Sequence, residues 1–224
     1  QRPVEKTLDR LHEPIQNLRI GVLEGWFRRG ATAESLAAVD TVATALRVDK
    51  QVTLVEAEIA RAAAFCITAA EGANVHLDNL RQRPADFDPA TRDRLLAGAL
   101  IPSAVVIQAQ RFRRWFLEQT LQVFQSVDVL IAPCTPCPAP LLGETTMSLD
   151  GTEVAIRPNI GIYTQPLSFI GLPVVVVPIP RPGAMPLGVQ IVAAPWQELK
   201  VLQVAAGLEA QGVAAAPVAQ RKVH

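Results

Sequence analysis

Nucleophilic catalysis needs a nucleophile beside a base, and candidates for either are few here. The chain has five serines (Ser35, Ser103, Ser126, Ser148 and Ser168) and four lysines (Lys6, Lys50, Lys200 and Lys222). None of the serines lies in a Gly/Ser-rich loop able to aim backbone N–H groups at a developing oxyanion, and no lysine has such a loop as partner. The sequence therefore assigns no catalytic residue. Cys134-Thr-Pro-Cys137 has redox-motif spacing, but a thioredoxin-like pair should open a helix, and Pro138 and Pro140 oppose one. One more cysteine, Cys66, and no nearby histidine leave a structural zinc site short of its four ligands. No metal and no organic cofactor is expected. His76, in Asn74-Val-His-Leu-Asp78, reads as a packing or surface group rather than a base.

The composition narrows the partners. The 224 residues carry 21 basic and 21 acidic side chains, a formal net charge of +0. That balance argues against nucleic acid, which calls for a basic stripe. Arg111, Arg113 and Arg114 beside Trp115 read as a solvated face. Half of the residues are hydrophobic, enough for a sizeable core. No apolar run has the length of a membrane span, and three cysteines make no secreted disulfide framework, so a cytoplasmic home is expected. The chain opens on Gln1 in a polar, linker-like stretch (1–17), as an excised piece would; loss of an initiator methionine is the alternative. Residues 212–224, rich in Ala and Val, read as a loose tail.

The elements that must position any site alternate between strands and helices. Leu18 to Leu23 alternates as a strand, and a helix follows from an N-cap at Thr32 with Glu34 in its first turn. Val52–Val55 reads as a short strand. A second helix runs from Ala57 toward Leu80 and stops before Pro84. A third helical region spans Thr91 to Ser126 with a break or kink at Pro102. Asp128 to Ala132 is a continuous apolar run, a buried strand, and Pro133, Pro136, Pro138 and Pro140 follow it in a loop. Tyr163 to Pro173 reads as a short helical turn between loops. Val174–Val177 is a second buried strand, ended by Pro178 and Pro180, and Leu187–Ala193 is another strand. Glu198–Gln211 is a helix closed by Gly212. This order implies an α/β fold, a mixed and mostly parallel sheet flanked by helices.

Three segments, in order, resemble the amidase-signature family. Asp128-Val-Leu-Ile-Ala-Pro-Cys-Thr-Pro136 is similar to its strand-and-loop motif. Thr164-Gln-Pro-Leu-Ser-Phe-Ile-Gly-Leu-Pro173 is similar to its T-x-P-x-N-x-x-G-x-P segment, and Pro186-Leu-Gly-Val-Gln190 to its P-x-G-x-Q turn. Val22-Leu-Glu-Gly-Trp-Phe27 and Ile107-Gln-Ala-Gln-Arg-Phe112 resemble more closely the branch that hydrolyses carboxybiuret in s-triazine and cyanuric acid breakdown. The resemblance covers nearly the whole chain as the C-terminal half of the family's domain. It implies an amidase whose serine nucleophile, bridging serine and lysine lie in an N-terminal half outside this chain. It also implies a small amide substrate, and a higher oligomer built with a small helical partner subunit.

In related amidases this half lines the substrate pocket. The resemblance places Tyr163, Thr164 and Gln165 in a loop facing the bound acyl group; ordinary turn chemistry before a strand is the alternative. Ser168 stands where many relatives have Asn, so no role is carried over to it. Relatives use an arginine near Arg94 to hold a substrate carboxylate, a task suited to a forked guanidinium. Arg92 and Arg157 are its competitors, and a solvated helix-start arginine is the alternative reading. Two other functions stay open. One is a non-catalytic scaffold, with no cleft near Tyr163–Gln165. The other is a subunit of a glutamyl-tRNA amidotransferase-like complex, although Glu71-Gly-Ala-Asn-Val-His-Leu-Asp78 lacks the Arg-Tyr-Asp-Gly run of that branch.

Overall fold

The computed structural model describes residues 6–217. The elements, in chain order, are α1 (Thr7–Arg10), β1 (Ile20–Leu23), α2 (Ala33–Leu46), β2 (Gln51–Val52), α3 (Ala57–Gln82), α4 (Pro89–Ala99) and α5 (Ser103–Val123). Then come β3 (Val129–Pro133), β4 (Thr146–Leu149), β5 (Thr152–Ala155), α6 (Ile156–Asn159), α7 (Gln165–Ser168), β6 (Val174–Ile179), β7 (Leu187–Ala193) and α8 (Glu198–Ala210).

The main sheet has the order β2-β1-β3-β7-β6. β1 runs parallel to both β2 and β3, while β7 is antiparallel to β3 and to β6. β7 is therefore the one strand of the five that opposes the others, and the expected mixed, mostly parallel α/β sheet is what forms. β3 is buried along its whole length, and its alternate side chains enter two separate cores. Leu130 and Ala132 join α3, α5 and the Tyr163–Leu172 segment on one face, with Phe27, Ile67 and Phe116. Val129 and Ile131 join α2 and α8 on the other, with Val39, Val42, Val204 and Leu208. Burial on both faces explains why β3 reads as an unbroken apolar run.

Local chemistry sets the helix ends. The Thr32 hydroxyl accepts from the Ser35 N–H and caps α2, as expected. Asp88 does the same for α4 by accepting from the Thr91 N–H. Pro102, its φ locked at −58° and its ψ extended at 138°, separates the two helices, and α4 and α5 meet at 97°. Among the described residues no single helix is long and apolar enough to cross a membrane.

Five details differ from expectation. The short strand expected over Val52–Val55 forms only at Gln51–Val52. β6 runs on through Pro178 to Ile179 and is half-buried, with Val176 46% exposed, because it is the sheet's edge strand. An edge strand tolerates a residue that cannot donate to the ladder. A hairpin, β4–β5, rises between the Pro-rich loop and α6, turning on Asp150-Gly151 with both φ values positive (49° and 78°). The stretch read as a linker is docked: the Arg10 carbonyl accepts from Gln203 of α8, and Ile15 packs on Gly207. The described part of the expected tail is docked too, with Ala214 buried and the Ala215 N–H donating to the Pro178 carbonyl. Residues 1–5 and 218–224 lie outside the described residues.

Candidate functional site

α3 is the organising element. Arg61, Phe65 and Thr68 recur at i, i+4 and i+7, so they share one side of the helix over about 10 Å of its length. Close packing with α4 sets that side's surroundings. A Cβ on Gly98 would come 2.1 Å from the Ala69 carbonyl oxygen, and one on Gly72 would come 2.9 Å from Leu95. The two helices approach this nearly only because no side chain intervenes.

A cavity of about 700 Å³ opens between α3, α4 and the α6 turn, lined by Phe65, Cys66, Thr68, Leu95 and Ile101 among others. Arg94 enters it. Its guanidinium lies 4.7 Å from the centre of the Phe65 ring and donates to Thr68 Oγ1 at 3.0 Å. Arg94 makes no ion pair with a carboxylate among the described residues. Its competitors do: Arg92 pairs with Asp93 at 3.2 Å, and Arg157, at the cavity wall, pairs with Asp88 at 2.6 Å. That pairing holds the Asp88 carboxyl below its ordinary range, Arg157 being the main cause and the Thr91 N–H the second. Of the three arginines, Arg94 alone lines this cavity with no carboxylate partner among the described residues, its guanidinium engaged by Thr68 and the Phe65 ring.

The Tyr163–Gln165 segment stands at the other end of the α3 stripe, and its three side chains part company. Tyr163 has no exposed surface: it packs 6.4 Å from Phe27, and its hydroxyl donates to the Arg29 carbonyl at 2.6 Å. Burial pushes its pKa far up, so it is a neutral core anchor rather than a group open to a cavity. The physical reason is its size: a large ring with one polar tip is stable inside when that tip finds an acceptor. Thr164 is half-buried and donates to the Gly161 carbonyl at 3.1 Å. Gln165, half-buried at the start of α7, accepts at Oε1 from Arg61 Nε at 3.2 Å. A second cavity, about 270 Å³, adjoins this segment and is lined by Trp26, Arg29, Arg61, Asp150 and Ile162. Arg94 and Gln165 do not touch; α3 and the Arg157–Asn159 turn link them.

Two residues that brace the site carry no distinguishing sequence signal or only part of one. Arg61 is an ordinary helical arginine in sequence. Gln190 ends one of the motifs, but nothing in that motif says what its side chain does. Its buried Nε2 donates to the Pro133 carbonyl at 2.8 Å and to the Tyr163 carbonyl at 3.3 Å, tying the first motif, and the residue just before the second, to the third. Gly188 lets this happen, since a Cβ there would meet Val176 at 2.8 Å and Cys134 at 3.0 Å.

Several of the serines and lysines are engaged in structural contacts. Lys50 meets Ser126 Oγ at 3.2 Å, but Nζ also donates to the Ser126 carbonyl, and that hydroxyl donates to the Val123 carbonyl. This is a cation at the end of a helix, a structural arrangement. Lys200 pairs with Asp128, and Ser35 donates to the Thr135 carbonyl. Lys222 lies outside the described residues. Cys134 and Cys137 are half-buried free thiols whose pKa values burial raises, and Cys137 Sγ sits 3.7 Å from Met147 Sδ. His76 packs edge-on against Phe87.

Comparison with known proteins identifies the family. Residues 1–202 match the amidase family. The chain is 45% identical over 214 residues, 94% of its length, to the AtzE component of the 1-carboxybiuret hydrolase of Pseudomonas sp. strain ADP, of which it covers 47%. It is 28% identical to a glutamyl-tRNA(Gln) amidotransferase subunit of Dechloromonas aromatica, over 92% of its own length and 47% of that protein's. Among solved structures, an inhibitor-bound s-triazine catabolic enzyme in a vestigial protein complex superposes with a TM-score of 0.91 at 44% identity, over 96% of this chain and 47% of the other. The chain thus spans about half the length of the relatives it matches. By sequence and by fold, the chain belongs to the amidase-signature family.

Proposed function

We propose that this chain is the C-terminal half of an amidohydrolase that cleaves a C–N amide bond in a small carboxylated ureido substrate such as carboxybiuret. The serine and lysine groups that perform the acyl transfer lie outside it. The observation that carries the reading is the 45% identity to a component of a carboxybiuret hydrolase.

The geometry supports it. Arg94 is held by Phe65 and Thr68 in an apolar cavity lined by no carboxylate among the described residues. A guanidinium so placed favours a bidentate substrate carboxylate and discriminates against neutral amides. Thr164 and Gln165 supply polar groups for the ureido end, while Tyr163 supports their loop from behind through Arg29. On this reading the enzyme works in the cytoplasm, needs no cofactor, and assembles with a small helical partner subunit into a higher oligomer. The vestigial complex formed by the structural relative supports the partner.

The test is ammonia release by the full-length enzyme from carboxybiuret and from a plain carboxamide. Arg94→Ala should cut kcat/KM for carboxybiuret by about 100-fold, a loss in the range for one charge-assisted bidentate contact, and leave the neutral carboxamide nearly unaffected. Equal turnover of both substrates, insensitive to Arg94, would overturn the reading.

A further inference from the structure

Arg61 is half-buried and makes no ion pair among the described residues, which is unusual for a group whose desolvation is costly. Its donors go elsewhere. Nε donates to Gln165 Oε1 at 3.2 Å, and Nη2 donates to the Pro158 carbonyl at 2.8 Å and to Asn159 Oδ1 at 2.7 Å. One side chain on α3 thus holds both α6 and α7. Because a guanidinium only donates, the Gln165 atom facing it must be the oxygen. The Gln165 amide nitrogen is then turned away, with no hydrogen-bond partner among the described residues, and it is not sealed in the interior.

We propose that Arg61 is a positioning residue: it locks the Gln165 amide so that the two N–H donors of Nε2 are presented to a carbonyl oxygen of the substrate. This rests on the reading of the site given above. Asn159 is bound by the same guanidinium and donates from Nδ2 to the Ala155 carbonyl, so the anchor is itself fixed. Arg61 and the Thr68–Arg94 contact sit on one stripe of α3 about 10 Å apart. A small molecule with an anion at one end and amide carbonyls at the other fits that pattern.

The experiment is a mutant cycle in the full-length enzyme, with carboxybiuret and a plain carboxamide as substrates and the thermal midpoint recorded. Gln165→Glu keeps an acceptor for Arg61 but removes the N–H donors. It should keep the parental midpoint while KM for both substrates rises about tenfold, as for one lost hydrogen bond. Arg61→Ala should raise KM by a similar factor, Arg61→Lys should recover part of it, and Arg61→Ala should add nothing further to Gln165→Leu. A parental KM in Gln165→Glu, or an Arg61→Ala effect equal with and without Gln165, overturns the proposal. A parent that turns over the carboxamide but not carboxybiuret overturns the substrate reading alone. Independently of turnover, a crystal structure of Arg61→Ala should show the Gln165 side chain displaced; an unmoved amide would also count against Arg61.

Discussion

Arg92 and Arg94 stand two residues apart on α4 and do opposite things. A turn of 100° per residue sends Arg92 toward Asp93 and Arg94 over Phe65 into the cavity. Arg94→Lys should therefore raise KM for a carboxylated substrate about tenfold, because an ammonium keeps the charge but loses the fork and the stacking on the ring; steady-state kinetics would show it. Asp128 is a second position where one residue decides much. It accepts from the backbone N–H and Nε of Arg19 and from Nζ of Lys200, tying the starts of β1 and β3 to α8. Arg19 is the main cause that holds its pKa below the ordinary carboxylate range. Asp128→Asn should lower stability at neutral pH by roughly 1–3 kcal/mol, the range for hydrogen bonds to a charged group, measured by urea unfolding.

At the scale of elements, the α3–α4 crossing shapes the Arg94 cavity, and it depends on a glycine. Gly98→Ala would drive a methyl against the Ala69 carbonyl oxygen, where backbone rather than a flexible side chain must yield. It should cost about 1–3 kcal/mol and weaken substrate binding together with stability, read from the thermal midpoint and KM. The β4–β5 hairpin is fastened at its tip: Asp150 accepts from the Gly30 N–H at 2.9 Å and faces Arg29 at 3.7 Å. Asp150→Ala should loosen the hairpin, and limited proteolysis within residues 141–155 should quicken while the rest of the chain resists.

For the whole molecule the balance of charges is neutral, so pH acts through particular pairs rather than through net repulsion. Asp128 and Asp88 both titrate lower in the folded state than when free. Their contribution is complete above the ordinary carboxylate pKa of about 4 and is lost as the pH falls through the folded values. Unfolding free energy should be level from about pH 5 to 8 and decline below about pH 4; Asp128→Asn should make that decline shallower. A steep loss between pH 6 and 8 instead would point to a group other than these carboxylates.

The sequence alone determined whatever depends on neighbours along the chain. The strand at β3, the Thr32 cap, the break at Pro102 and the length of α3 all follow from local apolar pattern, capping hydroxyls and proline. So did the family, whose three motifs keep their order. The β4–β5 hairpin carried an Asp-Gly turn signal, but its strands are mostly exposed and short, so the alternation around that signal was faint. What only the tertiary structure decided are contacts between residues far apart in sequence: Tyr163 turned inward to Arg29, Arg94 meeting Thr68 while Arg157 finds Asp88, and Arg61 reaching across 104 positions to Gln165. Residue type tells what a side chain is able to bind. Which partner it meets depends on how helices and sheet pack, and that packing is set by burial summed over the whole core.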